Sequence, residues 1–270
     1  MSERRVWCMF FSATGGVKKI ATQLTRTLCE KLECDRRTLD ISTPAGREKP
    51  PQFAAGDIVV CALPVYAGRV PNVLLPYLRT VQGNGAWAVP VAVYGNRHYD
   101  HALREIQGLL EEGGCTCIAG AAFIAQHSFS DTLAEGRPDW NDYKAIADFA
   151  HRLCAKIQAE DFSPVTLPGD WPPPAYYQPR DEQGRPLNFL KVKPRTGPGC
   201  NGCGFCAAVC PTGAIDPADP TSVPGVCIKC NACVKRCVRH AKFFDDPAYL
   251  THKRLLEETC TERKEPELFV

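Results

Sequence analysis

The sequence predicts an α/β protein in which a doubly wound parallel-sheet domain is followed by a small cysteine-rich α+β module. Three observations predict it. Apolar runs alternate with amphipathic stretches over residues 1–160, glycine- and hydroxyl-rich loops follow several of those runs, and two four-cysteine runs crowd into residues 200–237.

The predicted strands are Arg5–Phe11, Arg36–Asp40 (the weakest), Asp57–Leu63, Ala88–Tyr94 and Thr116–Ile124. Each strong one is rich in Val, Ile, Cys or Phe and is continuous rather than alternating, as in a parallel sheet covered on both faces. Helices are expected near Val17–Glu33, Asn72–Val81, Tyr99–Glu112 and Asn141–Glu160. Such repeated βα steps imply three layers. Residues 161–194 form a semi-rigid linker, broken by Pro172, Pro173, Pro174, Pro179, Pro186 and Pro194. Within it Tyr176, Tyr177, Phe189 and Leu190 are candidates to pack on a neighbour. The cysteine module occupies 195–246. Residues 247–270 read as a helix, Pro247–Cys260, and a charged tail expected to fray.

Apolar residues make up 44% of the 270, an ordinary share for a globular protein with a sizeable core. The net charge of +2 does not call for nucleic acid or a membrane surface. After Met-Ser-Glu-Arg-Arg the apolar run Val6–Phe11 is too short for a secretory signal. No apolar stretch approaches the ~20 residues of a spanning helix. A soluble, cytoplasmic protein is expected. Sixteen Cys is the outlier, and their clustering points to metal rather than disulfides.

Cys200-x2-Cys203-x2-Cys206-x3-Cys210-Pro211 is repeated, at an offset of 27 residues, by Cys227-x2-Cys230-x2-Cys233-x3-Cys237. Three thiolates of one tight loop can bind three irons of one cubane, while the fourth points to the other cluster. One [4Fe-4S] cluster is therefore assigned to Cys200, Cys203, Cys206 and Cys237, and a second to Cys227, Cys230, Cys233 and Cys210. Four-thiolate zinc is the other chemistry, but such sites usually pair Cys-x2-Cys from two separate turns. Over about 45 residues this region resembles the bacterial two-cluster ferredoxins. It departs from them at Val238, where the family has Pro. The retained N–H is expected to add a hydrogen bond near Cys237 and raise that cluster's potential. It departs also in charge: Arg195, Lys229, Lys235, Arg236, Arg239 and Lys242 face only three Asp. That segment is either a solvated face or a docking patch for acidic redox partners.

After the first strand comes Ser12-Ala13-Thr14-Gly15-Gly16-Val17-Lys18-Lys19. A helix N-terminus has unpaired N–H groups, glycines admit a phosphate closely and hydroxyls donate to it; an ordinary N-cap turn has the same composition. It is neither a Walker A loop nor a dinucleotide fingerprint. Two more loops follow strands, Pro64-Val65-Tyr66-Ala67-Gly68-Arg69-Val70-Pro71 and Gly95-Asn96-Arg97-His98-Tyr99-Asp100. All three gather at the carboxyl end of the sheet.

Through Ser-Ala-Thr-Gly-Gly-x-Lys-Lys, Pro-Val-Tyr-x-Gly-Arg-x-Pro and Gly-Asn-Arg-x-Tyr-Asp, residues 4–160 resemble the flavodoxins. The whole chain looks like the fused flavodoxin–ferredoxin proteins, found mainly in anaerobic bacteria and archaea. The resemblance implies a five-stranded sheet of order 2-1-3-4-5, with FMN at the switch point between strands one and three. It puts FMN phosphate on Ser12, Thr14, Gly15, Gly16 and Val17. The ring falls between Pro64, Val65, Tyr66, Gly68 and Arg69 on one side and Gly95, Asn96, Arg97, Tyr99 and Asp100 on the other. Tyr66 or Tyr99 would stack on it, unless both are plain surface tyrosines. Arg69 or Arg97 would stabilise a reduced anionic flavin, unless they are plain surface charges. Where the family has Thr, this chain has Val17, which removes one hydroxyl donor worth ~1 kcal/mol.

Most of the other eight Cys read as core thiols, and no Ser-His-Asp or Cys-His catalytic set is visible. The expectation is an electron-transfer protein linking FMN, two clusters and redox partner proteins. Its rivals are a flavin-dependent reductase fed by its own clusters, and a redox sensor or assembly subunit that binds no flavin.

Overall fold

The computed structural model describes residues 4–270; the first three residues of the opening segment lie outside them. The chain runs β1 (Arg5–Phe10), α1 (Gly16–Leu32), β2 (Asp35–Asp40), β3 (Ile58–Pro64), α2 (Leu75–Leu78), β4 (Trp87–Tyr94) and α3 (Ala102–Glu112). It continues through β5 (Thr116–Cys117), β6 (Gly120–Ile124), α4 (Trp140–Gln158), β7 (Arg195–Thr196), α5 (Phe205–Ala208) and α6 (Ala232–Lys235). It ends with β8 (Lys242–Phe243), α7 (Pro247–Thr259) and β9 (Glu267–Phe269).

The apolar runs become parallel strands because both their faces are covered. Alternate residues of β1 go to opposite cores: Val6, Cys8 and Phe10 to one, Met9 to the other. α1 seals the first core with Val17, Ile20, Ala21, Leu24 and Leu28, the helical spacing of an amphipathic face. α4 joins it there, started by a capping box between Asp139 and Asp142. α3 covers the second core with Leu103, Ile106, Leu109 and Leu110. The sheet order is β2-β1-β3-β4-β6-β9, with β5 also on β4. The flavodoxin-like order 2-1-3-4-5 is present, its fifth strand split into β5 and β6.

Three features differ from expectation: the 72–81 stretch, the start of α3 and the tail. The stretch 72–81 is a 3-10 turn and the four-residue α2, not one helix. α3 starts at Ala102 rather than Tyr99, because Asn96 and Asp100 hold φ of 65° and 44°, outside the helical region. The linker packs where its tyrosines make it a candidate to. Leu167 is buried against Gly120, Tyr177 N–H donates to Ala67 O at 2.9 Å, and the Tyr176 hydroxyl donates to Val70 O at 2.8 Å. The tail does not fray: β9 pairs antiparallel with β6 as a further edge strand. Asn96 Nδ2 donates to Cys260 O and Glu262 O, and Lys264 N–H donates to Asn96 Oδ1.

The cysteine module docks on the loop after β6. Lys235 Nζ donates to Ser130 O at 2.7 Å and pairs with Asp131, while Ser130 Oγ donates to Glu257 of α7. Phe129 packs on Tyr249 with ring centroids 4.7 Å apart. Cys230 and Ala232 belong to the same apolar cluster as α3 and β3, so the two units share a core. No helix among the described residues is long and apolar enough to cross a membrane.

Candidate functional site

At the carboxyl end of the sheet lies one cleft in two parts. The smaller, about 60 Å³, is bounded by Ser12, Thr14, Gly16 and Val17 with Pro64 and Gly95. Gly15 has φ 104°, and a Cβ there would meet nothing within 4 Å, so its backbone faces open space. Ser12 Oγ accepts from Lys18 N–H at 3.0 Å, which leaves the hydroxyl proton free to donate. Val17 turns its side chain into the core, so it offers the cleft a backbone N–H and no hydroxyl. Lys18 and Lys19 are exposed.

The larger part, about 190 Å³, opens from the same walls at Val65, Tyr66 and Gly95. Its near wall is a two-residue hairpin. Tyr66 and Arg69 exchange backbone hydrogen bonds of 2.8 and 3.1 Å, with Ala67 and Gly68 at φ 49° and 79°. A side chain on Gly68 would strike Asp100, its Cβ 2.4 Å from Oδ2. The far wall comes from elsewhere: Tyr177 and Phe189 of the linker, His127 of the β6 loop, His252 of α7, and Ile228 and Lys229 from inside the second cysteine run. The Tyr66 phenol is pushed well up by burial, with negative charge on Cys230 and Cys227 adding to it.

Several expected ring contacts have other occupations. Arg69 is bound to Glu105 at 2.6 Å and stacks on Tyr176 at 4.4 Å, so its charge is spent. Tyr99 is 3% exposed, donates to Glu267 Oε2 at 2.7 Å and belongs to the core. Asn96 holds the tail, and Asp100 pairs with Arg97. Arg97 itself remains on the cavity wall, stacked over Tyr177 at 4.8 Å. The residues that sequence reasoning missed are chiefly His127, Tyr177 and His252. Tyr177 is already a candidate to pack on a neighbour, and the His127 loop, like the other three, follows a strand to the carboxyl end; His252 has no local signal.

The pair His127 and His252 is neutral. Burial lowers each to about 4, helped at His127 by His252, Arg97 and Lys235 and at His252 by Arg97. His127 Nδ1 accepts from Phe129 N–H at 3.1 Å, whereas buried His252 Nδ1 has no partner. The His252 ring thus joins a cavity wall in which aromatic and aliphatic side chains outnumber polar ones, the usual lining of a small-molecule site. The cleft therefore combines a small hydroxyl- and glycine-lined end at Ser12, Thr14 and Gly16 with a larger, mostly apolar end beside the cysteine module.

The cysteines surround two further voids. One, of about 170 Å³, is lined by Cys200, Cys203, Cys206 and Cys237; the other, about 20 Å³, by Cys210, Cys227, Cys230 and Cys233. The thiols border each void instead of meeting at a point. Among the described residues no group of three His, Cys, Asp or Glu is close enough to hold a single ion. Backbone bonds to sulfur repeat with the sequence: Ala214 N–H to Cys210 and Ala241 N–H to Cys237, at 3.2 and 3.4 Å. Gly202 N–H to Cys200 and Lys229 N–H to Cys227 match in the same way, at 3.5 and 3.4 Å. The expected bond from Val238 N–H to sulfur is not found among the described residues, Val238 stands 81% exposed, and the Ala241 bond only repeats the one from Ala214. At Cys237 burial pushes the thiol up, but N–H groups of Ala241, Arg239, Lys242 and His240 outweigh it and lower it.

A family described as 4Fe-4S binding domain matches residues 199–216. No curated protein matches. Among solved structures, a flavodoxin from Streptococcus pneumoniae TIGR4 is 18% identical, covering 57% of this chain and 98% of its own, with a TM-score of 0.40. Flavodoxin 2 from Bacillus cereus is 11% identical over 57% of this chain and 99% of its own, at 0.40. A Fusobacterium nucleatum flavodoxin bound to flavin mononucleotide is 14% identical over 57% and 96%, at 0.36. At such identities the likeness concerns the fold alone. The chain joins a doubly wound α/β half to a segment that matches a 4Fe-4S binding domain.

Proposed function

We propose that this protein is an electron carrier that holds FMN and two [4Fe-4S] clusters and passes electrons between them and an acidic protein partner. FMN exchanges one or two electrons and each cluster one, so together they would convert between the two. The observation that carries the reading is the shared wall: Ile228 and Lys229, flanked by Cys227 and Cys230, line the cavity beyond Tyr66.

The chain's residues then divide the work. Gly15, Gly16 and the Val17 N–H, with the Ser12 hydroxyl, would bind the phosphate. The 66–69 hairpin and Tyr177 would hold the ring. His127 and His252 would offer neutral polar contacts to its edge. Cys210, Cys227, Cys230 and Cys233 would hold the cluster beside the ring. Cys200, Cys203, Cys206 and Cys237 would hold the outer one.

The outer site carries the partner face. Phe205 is 48% and Val238 81% exposed there, and Cys203 is exposed. Of the basic residues, Lys235 is tied to Asp131, Arg195 to Asp245, and Lys229 to Leu190 O and Cys227 O. Arg236 and Arg239 have no acidic partner within salt-bridge distance among the described residues, and they supply the charge for an acidic docking surface.

The test is anaerobic purification followed by iron, sulfide and flavin assays on one sample. About eight irons and one FMN per chain are expected. Zinc in place of iron, or clusters without flavin, would overturn the reading.

A further inference from the structure

Lys242 is 3% exposed, in the two-residue strand β8. The 27-residue offset of the cysteine runs aligns it with Ile215, also 3% exposed and part of the module's small apolar core. The duplication keeps the alanine N–H to sulfur bond just before both positions. An ammonium therefore stands where the first half has a hydrocarbon.

Its hydrogen-bond partners are neutral oxygens. Lys242 Nζ donates to Thr196 Oγ1 at 2.6 Å and to Pro220 O. That same Pro220 carbonyl faces the Cys206 thiol, with sulfur and oxygen 4.0 Å apart. Lys242 and the four thiols Cys200, Cys203, Cys206 and Cys237 border one void. No carboxylate lies within salt-bridge distance of Lys242 among the described residues, and Asp219, lowered first by its bonds from Thr221 and last by the Lys242 charge, is engaged with Thr221. A buried ammonium without a carboxylate is strongly disfavoured unless other negative charge comes with it. Thiolates around an iron–sulfur cluster bring that charge.

We infer that Lys242 is the internal counter-ion of the outer cluster and sets its reduction potential above that of the cluster beside the flavin. The inference rests on the two-cluster reading above. An added electron makes a cluster more negative, so a fixed cation favours the reduced form. Unit charges a few ångström apart, at an effective permittivity of ~20, interact by more than one factor of ten in equilibrium. Electrons arriving from the flavin side would then run downhill to the partner face.

The test is an EPR-monitored potentiometric titration of the anaerobic full-length protein, with iron and sulfide measured first. In Lys242→Met the higher midpoint should fall by at least tenfold in the reduction equilibrium, which is about 59 mV for one electron. The lower midpoint should move less. Lys242→Arg should stay within about threefold of the parent. The gap should persist at about 1 M salt, because a buried charge is screened little. Unmoved midpoints in Lys242→Met with full iron would overturn the inference. So would loss of iron in both Lys242→Met and Lys242→Ile but not in Lys242→Arg, since the lysine would then serve assembly. A parent protein short of ~eight irons would instead overturn the two-cluster reading itself.

Discussion

Glu105→Ala removes the carboxylate on which the ring-side hairpin is mounted. Glu105 is 1% exposed and accepts from Arg69 Nη2 at 2.6 Å, Arg69 Nε at 3.2 Å and Val70 N–H at 2.9 Å. The pairing is side-on and bidentate, the strongest arrangement for these groups. Arg69 Nη1 also donates to Pro174 O at 2.7 Å, so one ion pair joins α3, the hairpin and the linker. Truncation leaves a guanidinium whose side chain is 15% exposed facing no counter-charge. Breaking a buried pair in this way costs ~3–5 kcal/mol, out of a total domain stability of ~5–15 kcal/mol. Glu105→Gln keeps the Val70 bond and should cost less. Replacing both partners, Arg69→Met with Glu105→Leu, removes the unpaired charge and should recover most of the loss. Urea titration followed by circular dichroism reads the stability, with the midpoint compared at constant slope. Flavin titration reads the hairpin, and affinity should fall with the single variant. A cost below about 1 kcal/mol for Glu105→Ala, or a double variant no better than the single one, would contradict the role given to this pair.

Four other outcomes are expected. His127 titrates at about 4 in the folded protein against an ordinary 6.5. Between those values the unfolded chain binds the extra proton, so stability is present above pH ~6.5 and lost as pH falls toward 4, by up to ~3 kcal/mol for this group. Thermal melts from about pH 7 down to about 4.5 check this, and His127→Asn should flatten the curve. Asn96→Ala abandons two tail carbonyls and the Lys264 N–H and should cost ~2 kcal/mol; limited proteolysis should then cut within residues 260–270. Arg239→Glu should slow electron exchange with an acidic partner and flatten its salt dependence in stopped-flow measurements. Lys235→Glu should instead destabilise the docked module, because its charge is already used on Asp131.

Much was legible from local pattern. The short, continuous runs Val6–Phe10 and Ile58–Leu63, rich in Val, Ile, Cys or Phe, read as buried strands, and burial on both faces is what the sheet provides them. The cysteine spacing is also local, since three thiols of one tight turn need nothing from the rest of the chain to share a void. Even the weak strand at Asp35–Asp40 formed, as an exposed edge beside β1.

The order of elements and the end of the sheet where the loops collect thus follow from sequence alone. How the charges are used follows only from the packed fold. Arg69 meets Glu105 across 36 positions, Lys235 meets Asp131 across 104, and Asn96 reaches Cys260 of the tail across 164. Packing also turns the linker and α7 into the far wall of the cleft, and the tail into an edge strand. The difference is one of range. Periodicity and ligand spacing are set by neighbours a few residues apart. Whether a lysine is solvated or enclosed, as at Lys242, depends on which distant carbonyls and thiols the fold brings around it.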